Sequence, residues 1–225
     1  MEGKEITSAP DMLTKQLSLP QDPSFADGYR VVYDRKVGIE VRAGAEPKQG
    51  VGDMKTFKIR ILLLGSNENP DSIRMELSTE DDLFFNYFHT LDGSGFDHMK
   101  NRQKLMIQFQ SYPMVLMSTL NKCIKQPHTY MCVLYISENG TGRLDFIQNM
   151  EYKFVDLLSV RFTKSTEEFI RQQVSYRYKM MKKQVSMLQH KLEEVNKMIK
   201  LRNPSLLLQV GKILPKPIIN DWESR

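Results

Sequence analysis

Between Ser165 and Pro204 the chain contains neither glycine nor proline, and its apolar residues keep a seven-residue beat. Val174, Met181, Leu188 and Val195 form one series, and Tyr178, Val185, Leu192 and Ile199 form a second, offset by four. Charged and amide residues such as Lys182, Gln184, Lys191, Glu193 and Lys197 fill the positions between. A stripe this narrow is what a two-stranded coiled coil requires, each apolar side chain seating among four from the facing helix. A helix packed on its own globular domain carries a wider stripe. Four heptads extend roughly 40 Å at the helical rise, more free surface than a domain of this size offers. Ser165-Thr166-Glu167-Glu168 is a helix start and Asn203-Pro204 a stop. The spacing therefore predicts a dimeric stem over residues 164–203.

Ahead of the stem lies a stretch with a different grammar. Tyr29–Asp34 and Val37–Arg42 are short runs rich in Val, Ile and Tyr around the polar Asp34-Arg35-Lys36, which predicts a hairpin. Alternation over Lys55–Leu64 predicts a strand, and Ile73–Ser78 the next. Thr79-Glu80-Asp81-Asp82 places a hydroxyl and three acids before an apolar stretch, so a helix is expected over Asp81–Thr90, stopped by Asp92-Gly93-Ser94-Gly95. Phe96–Lys100 reads as one helical turn, and Leu105–Phe109 as a strand. Pro113 suits a first helical turn, giving a helix to Ile124. Strands follow at Tyr130–Ser137, Arg143–Asn149 and Tyr152–Phe162, the first two joined by the Asn139-Gly140 turn. The fold class expected is α+β: an antiparallel β-barrel or sandwich head over 28–163, then the helical stem.

Residues 1–27, with Pro10, Pro20 and Pro23, read as a mobile arm, or else Leu13, Leu17 and Leu19 form a short docking helix. The tail, 204–225, is apolar but broken by Pro215 and Pro217, and suits either a docking peptide or a segment folded back on the head.

Composition narrows the function. The net charge of +5 comes from 32 Lys and Arg against 27 Asp and Glu, interleaved along the chain. Nucleic-acid binders usually gather basic charge on one face. Cys123 and Cys132 lie in apolar runs, as reduced, buried thiols do, and no Cys/His metal spacing occurs. The longest apolar run, Ile61–Leu64, is too short to span a bilayer, and Met1–Pro10 does not have the form of a secretory signal. A soluble intracellular chain is expected. His89, His98, His128 and His190 share no motif with a nucleophile or carboxylate, and phosphate loops and hydrolase elbows are absent. The residues thus predict a structural protein, not an enzyme, with no cofactor and no metal.

Several segments from Leu77 to Phe162 carry a family likeness in their order. They are Asp81-Asp82-Leu83-Phe84-Phe85-Asn86-Tyr87, then Phe96 and Leu105-Met106-Ile107-Gln108-Phe109, then Tyr112-Pro113-Met114-Val115-Leu116, then Cys132–Ile136 and Phe146–Val160. This stretch resembles the head domain of the spindle assembly abnormal protein 6 family, the centriolar cartwheel protein, and head followed by stem is that family's order as well. The resemblance implies a barrel or sandwich head with a helix-turn-helix insert and parallel pairing of stems into a homodimer. It further implies higher assembly through head-to-head contacts, at the centriole, basal body or flagellar base and beside other centriolar or flagellar proteins. It places the head-contact residue at Tyr152, with Phe154 as the fallback, and draws the receiving pocket from Phe84, Phe88 and Met106. The stem stops after four heptads, which resembles the short SAS-6-like branch, and the tail's lack of heptads favours a natural short form. The competing class is a DNA-repair-type scaffold, with Lys179, Lys182, Lys183 and Lys191 of the stem facing duplex DNA.

Overall fold

A computed structural model describes residues 21–43 and 52–202. The expectations for the arm before residue 21 and for the tail after residue 203 lie outside the described residues. Residues 21–176 form one compact unit, and the second includes residues 177–202.

The first unit is a closed seven-stranded barrel. In chain order its strands are β1 (Arg30–Ala43), β2 (Asp53–Gly65), β3 (Pro70–Ser78), β4 (Asn86–Asp92), β5 (Tyr130–Ile136), β6 (Thr141–Met150) and β7 (Lys153–Lys164). Around the barrel the order is β1-β2-β3-β4-β7-β6-β5. Two helices, α1 (Gly93–Gln103) and α2 (Tyr112–Lys125), are inserted between β4 and β5, and α3 (Glu167–Arg202) follows β7.

The barrel is mixed, not antiparallel as expected. β5 lies parallel to β1, with Glu40 opposite Val133 and Ala43 opposite Ile136. Hairpins force antiparallel neighbours, but β5 is reached through the two-helix insert, and a crossover of that length can lay two strands parallel. Every second residue points inward. Ile59, Ile61, Ile73, Met75, Leu77, Leu144 and Phe146 are fully buried there, each stabilising by about 1.5–3 kcal/mol relative to exposure. Phe96, Tyr112, Leu116 and Leu120 of the insert join the same core.

Four local expectations change. The hairpin at Asp34-Arg35-Lys36 is instead one long strand, because β2 is long enough to pair all of it: Asp34 lies opposite Arg60 and Lys36 opposite Lys58. The Lys58 amine meets the Asp34 carboxylate at 3.1 Å. The helix expected over residues 81–90 is a turn followed by β4. Asp82 accepts the Phe84 N–H at 2.9 Å and Thr79 Oγ1 accepts the Asp81 N–H at 3.2 Å. The polar residues close turns, as Asx and Ser/Thr side chains also do. Asp92 does not stop a helix but starts one. Its carboxylate accepts the Gly95 N–H at 2.8 Å and the Ser94 hydroxyl at 3.0 Å, so the expected single turn at Phe96–Lys100 is part of a three-turn helix. Lastly, the Leu105–Phe109 stretch alternates as a strand would, with Leu105, Ile107 and Phe109 against the core. It joins no ladder and leads into a 3-10 turn at Phe109–Ser111.

Candidate functional site: self-assembly surfaces

At the Asn139-Gly140 turn Gly140 adopts φ 79°, a left-handed conformation that favours glycine. Asn139 Oδ1 accepts from the Thr141 N–H and hydroxyl. That turn fixes the near end of the β6–β7 sheet. The far end is the β6–β7 hairpin, where Asn149 faces Phe154 and Met150 faces Lys153 across a Glu151-Tyr152 turn. The Tyr152 N–H donates to the Met150 carbonyl. Tyr152 is 80% exposed and Phe154 66%, a large aromatic surface on a tight, two-residue tip.

The tip is anchored to the segment that follows α2. The Asn149 N–H donates to the Thr129 carbonyl at 2.8 Å and its amide to the His128 carbonyl at 3.4 Å. The Tyr130 N–H in turn donates to the Gln126 carbonyl at 2.9 Å, and the Lys122 ammonium lies 5.2 Å above the Tyr130 ring. Along α2 itself runs a groove of about 500 Å³ lined by Met114, Met117, Asn121, Lys122 and Gln126. The hairpin tip and the C-terminal half of this groove therefore belong to one end of the head.

The five residues expected at the head contact do not gather in one place. Tyr152 and Phe154 occupy the hairpin. Phe84 and Phe88 belong to the opposite end of the barrel: Phe88 faces Thr163, at the far end of β7, roughly 35 Å along the strand from Lys153 at 3.4 Å per residue. Phe88 lines a separate cavity with Pro23, Ala26 and Phe169. Met106, 96% exposed, is in the α1–α2 connection. The groove along α2 went unnoticed in the sequence; its signal is Met114 and Met117, methionines one turn apart on a helix, since flexible thioethers are favoured at adaptable surfaces.

Where β7 passes into α3, buried charge ties the first turns of the helix to the barrel. Arg60 donates to Asp22, to Ser24 Oγ at 2.6 Å and to Glu76 at 2.6 Å. Gln173 of α3 donates to Asp22 at 3.1 Å and to Ser24 Oγ at 2.8 Å. Burial alone would raise the Asp22 carboxyl, but the bonds from Arg60 and the Ser24 N–H outweigh it and hold it below the ordinary value of 3.8. Asp22 and Ser24, expected within the mobile arm, are 5% and 0% exposed, so the ordered head takes in residue 22.

In the second unit the heptad positions present an apolar face. Tyr178, Met181, Val185, Leu188, Leu192 and Val195 are each 44–67% exposed, and Val174, in the first unit, and Ile199 are half-buried. Between them, Lys179, Lys182 and Lys191 are exposed. No group of three or more His, Cys, Asp or Glu among the described residues is placed to hold a metal ion, and no described helix is long and apolar enough to cross a membrane.

A barrel with a two-helix insert, continuing from its last strand into a heptad helix, is a recognisable plan. The family model of the centriolar protein SAS N-terminal domain matches residues 31–162. The chain belongs to this family. Among curated relatives, the spindle assembly abnormal protein 6 homolog of Xenopus laevis is 25% identical over 175 residues, covering 71% of this chain and 26% of that protein. The chain thus spans about a quarter of that relative's length. Two SAS-6 structures share the fold. An N-terminal fragment of Leishmania SAS-6 containing part of its coiled coil superposes with a TM-score of 0.64 at 12% identity, over 83% of this chain and 100% of that one. An N-terminal fragment of Drosophila melanogaster Sas-6, a variant dimerised via the coiled-coil domain, gives 0.65 at 14% identity, over 87% and 95%.

Proposed function

We infer that this chain is a self-assembling structural scaffold of the centriole, basal body or flagellar base. Its stems pair in parallel into a homodimer through Val174, Tyr178, Met181, Val185, Leu188, Leu192, Val195 and Ile199. The observation that carries this reading is the exposed heptad face of α3, joined to a head of the centriolar family. Apolar side chains exposed in register lose that exposure when a second helix covers them.

Heads meet through a second interface, in which Tyr152 of one head enters the α2 groove of the other and receives the partner's Tyr152 in return. Tip and groove at one end of the head support such a mutual contact, and this takes the place of a pocket built on Phe84 and Phe88. An aromatic body with a polar tip suits an interface, and methionines line the receiving groove. One interface between stems and another between heads generate rings or helices according to the angle between their axes. Individually weak head contacts become effective once tethered in pairs. Other centriolar or flagellar proteins are the partners expected for the assembled scaffold.

The test is Tyr152→Glu, which places a charge at the desolvated centre of the head contact. Size-exclusion chromatography with light scattering should show the larger species gone and the dimer intact. Larger species persisting in the variant would remove Tyr152 from the interface.

A further inference from the structure

The barrel closes imperfectly between β4 and β7. Tyr87–Lys164 and Phe88–Thr163 pair across that seam, and the Ser165 N–H donates to the Asn86 carbonyl at 2.9 Å at one end of it, but the other end carries no ladder. Beyond them side chains do the bonding that a strand would otherwise do. Gln103 of α1 donates its amide to the Ser159 carbonyl at 2.8 Å and accepts the Ser159 N–H at 2.8 Å. His89 and Arg161 both line the opening at this seam. Where the two strands part there is a cavity of about 310 Å³.

Its lining is chemically one-sided. The less exposed members are Leu91, Met99 and His89; the charged members are Arg102, Arg143 and Arg161, with no carboxylate among the lining residues. Arg143 and Arg161 stand directly opposite each other on β6 and β7, an arrangement of like charges that destabilises a sheet unless a counter-charge is supplied. Arg143 has a partner, its Nε meeting Asp145 at 3.0 Å while its guanidinium lies 4.7 Å above the Tyr135 ring. The side chains of Arg102 and Arg161 have no hydrogen-bond or ion-pair partner among the described residues. At the inner part of the cavity His89 Nε2 is buried and also without a partner. Buried polar atoms in native proteins almost always have one.

We propose that this seam cavity is an oxyanion-binding site, in which Arg161 and Arg102 clamp a phosphate or carboxylate group beside the His89 ring. Guanidinium pairs are suited to such groups because their planar forks match the oxygen spacing. The apolar residues Leu91 and Met99 beside His89 admit the stem that carries the anion, so phosphorylated or carboxylate-bearing side chains of a partner fit as well as a free anion does. The test of this site does not depend on assembly.

The four histidines make the measurement simple. Ring-labelled histidine NMR of the full chain is followed during titration with inorganic phosphate, with phenyl phosphate and, at matched ionic strength, with chloride. The His89 signal should move saturably with at least one phosphate probe, while His98, His128 and His190 stay put and chloride does nothing. Arg161→Gln and, from a different element, Arg102→Gln should each weaken the response at least tenfold with the thermal midpoint unchanged. No saturable His89 response to either phosphate probe would overturn the proposal, as would a response that both variants leave intact or that chloride reproduces.

Discussion

The residues that matter most to the integrity of the head are polar. Arg60 holds two carboxylates, Asp22 and Glu76, that are 5% and 3% exposed, and Gln173 extends the network into α3. Burying charge costs heavily unless it is paired, and removing one partner leaves the others stranded. Arg60→Met should therefore destabilise the head by about 3–5 kcal/mol, read as a lower urea midpoint. Replacing Gln173, a neutral donor, by leucine should cost less, about 1–3 kcal/mol. The Asp22 carboxyl also sets a pH dependence. Its value in the folded head is lowered, so the unfolded chain binds more protons in acid. Its contribution is complete above the ordinary value of 3.8 and is lost as pH falls through the lower, folded value. Thermal midpoints should show Asp22→Asn less stable than the natural chain at pH 7, with the gap narrowing below about pH 4. None of this could be read from sequence, because Asp22 and Gln173 are separated by 151 residues and neither sits in a motif. Tyr152 was singled out by likeness to the family, and the structure shows it exposed on a two-residue turn. The groove along α2 was not legible, since a cavity there depends on how that helix seats against β1 and β5.

At the scale of elements, periodicity read well where it was long and poorly where it was short. The heptads of α3 repeat four times and specify a helix over Glu167–Arg202. Five residues that alternate, such as Leu105–Phe109, satisfy a strand pattern without finding a neighbour to pair with. Thr79, Asp81 and Asp82 carry the side chains of a helix cap and close turns instead, because Tyr87 and Leu91 alternate into the core with the pleat of β4. The aromatic run of residues 84–88 is compatible with either structure, and the ladder to β3 decides it. The mixed barrel likewise follows from where β5 returns, a long-range fact with no local sign. The heptad face yields a prediction of its own. Leu188→Glu puts a charge in the centre of the stripe and should shift the chain from dimer to monomer, measured by light scattering. The head should keep its near-ultraviolet circular dichroism, since residue 188 lies outside the unit formed by residues 21–176.

For the whole molecule, what counts is the number of independent contacts one protomer makes. A stem contact alone gives a dimer and nothing more. A head contact alone gives a weak dimer of another kind. A protomer with both would be a two-ended connector, and assembly would become a question of concentration. Sedimentation velocity of the full chain over a wide concentration series separates these cases. With two interfaces, a dimer at low concentration should give way to progressively larger species as concentration rises. A monomer throughout the series would mean that the heptad face of α3 has no second helix to cover it, and would contradict the scaffold reading.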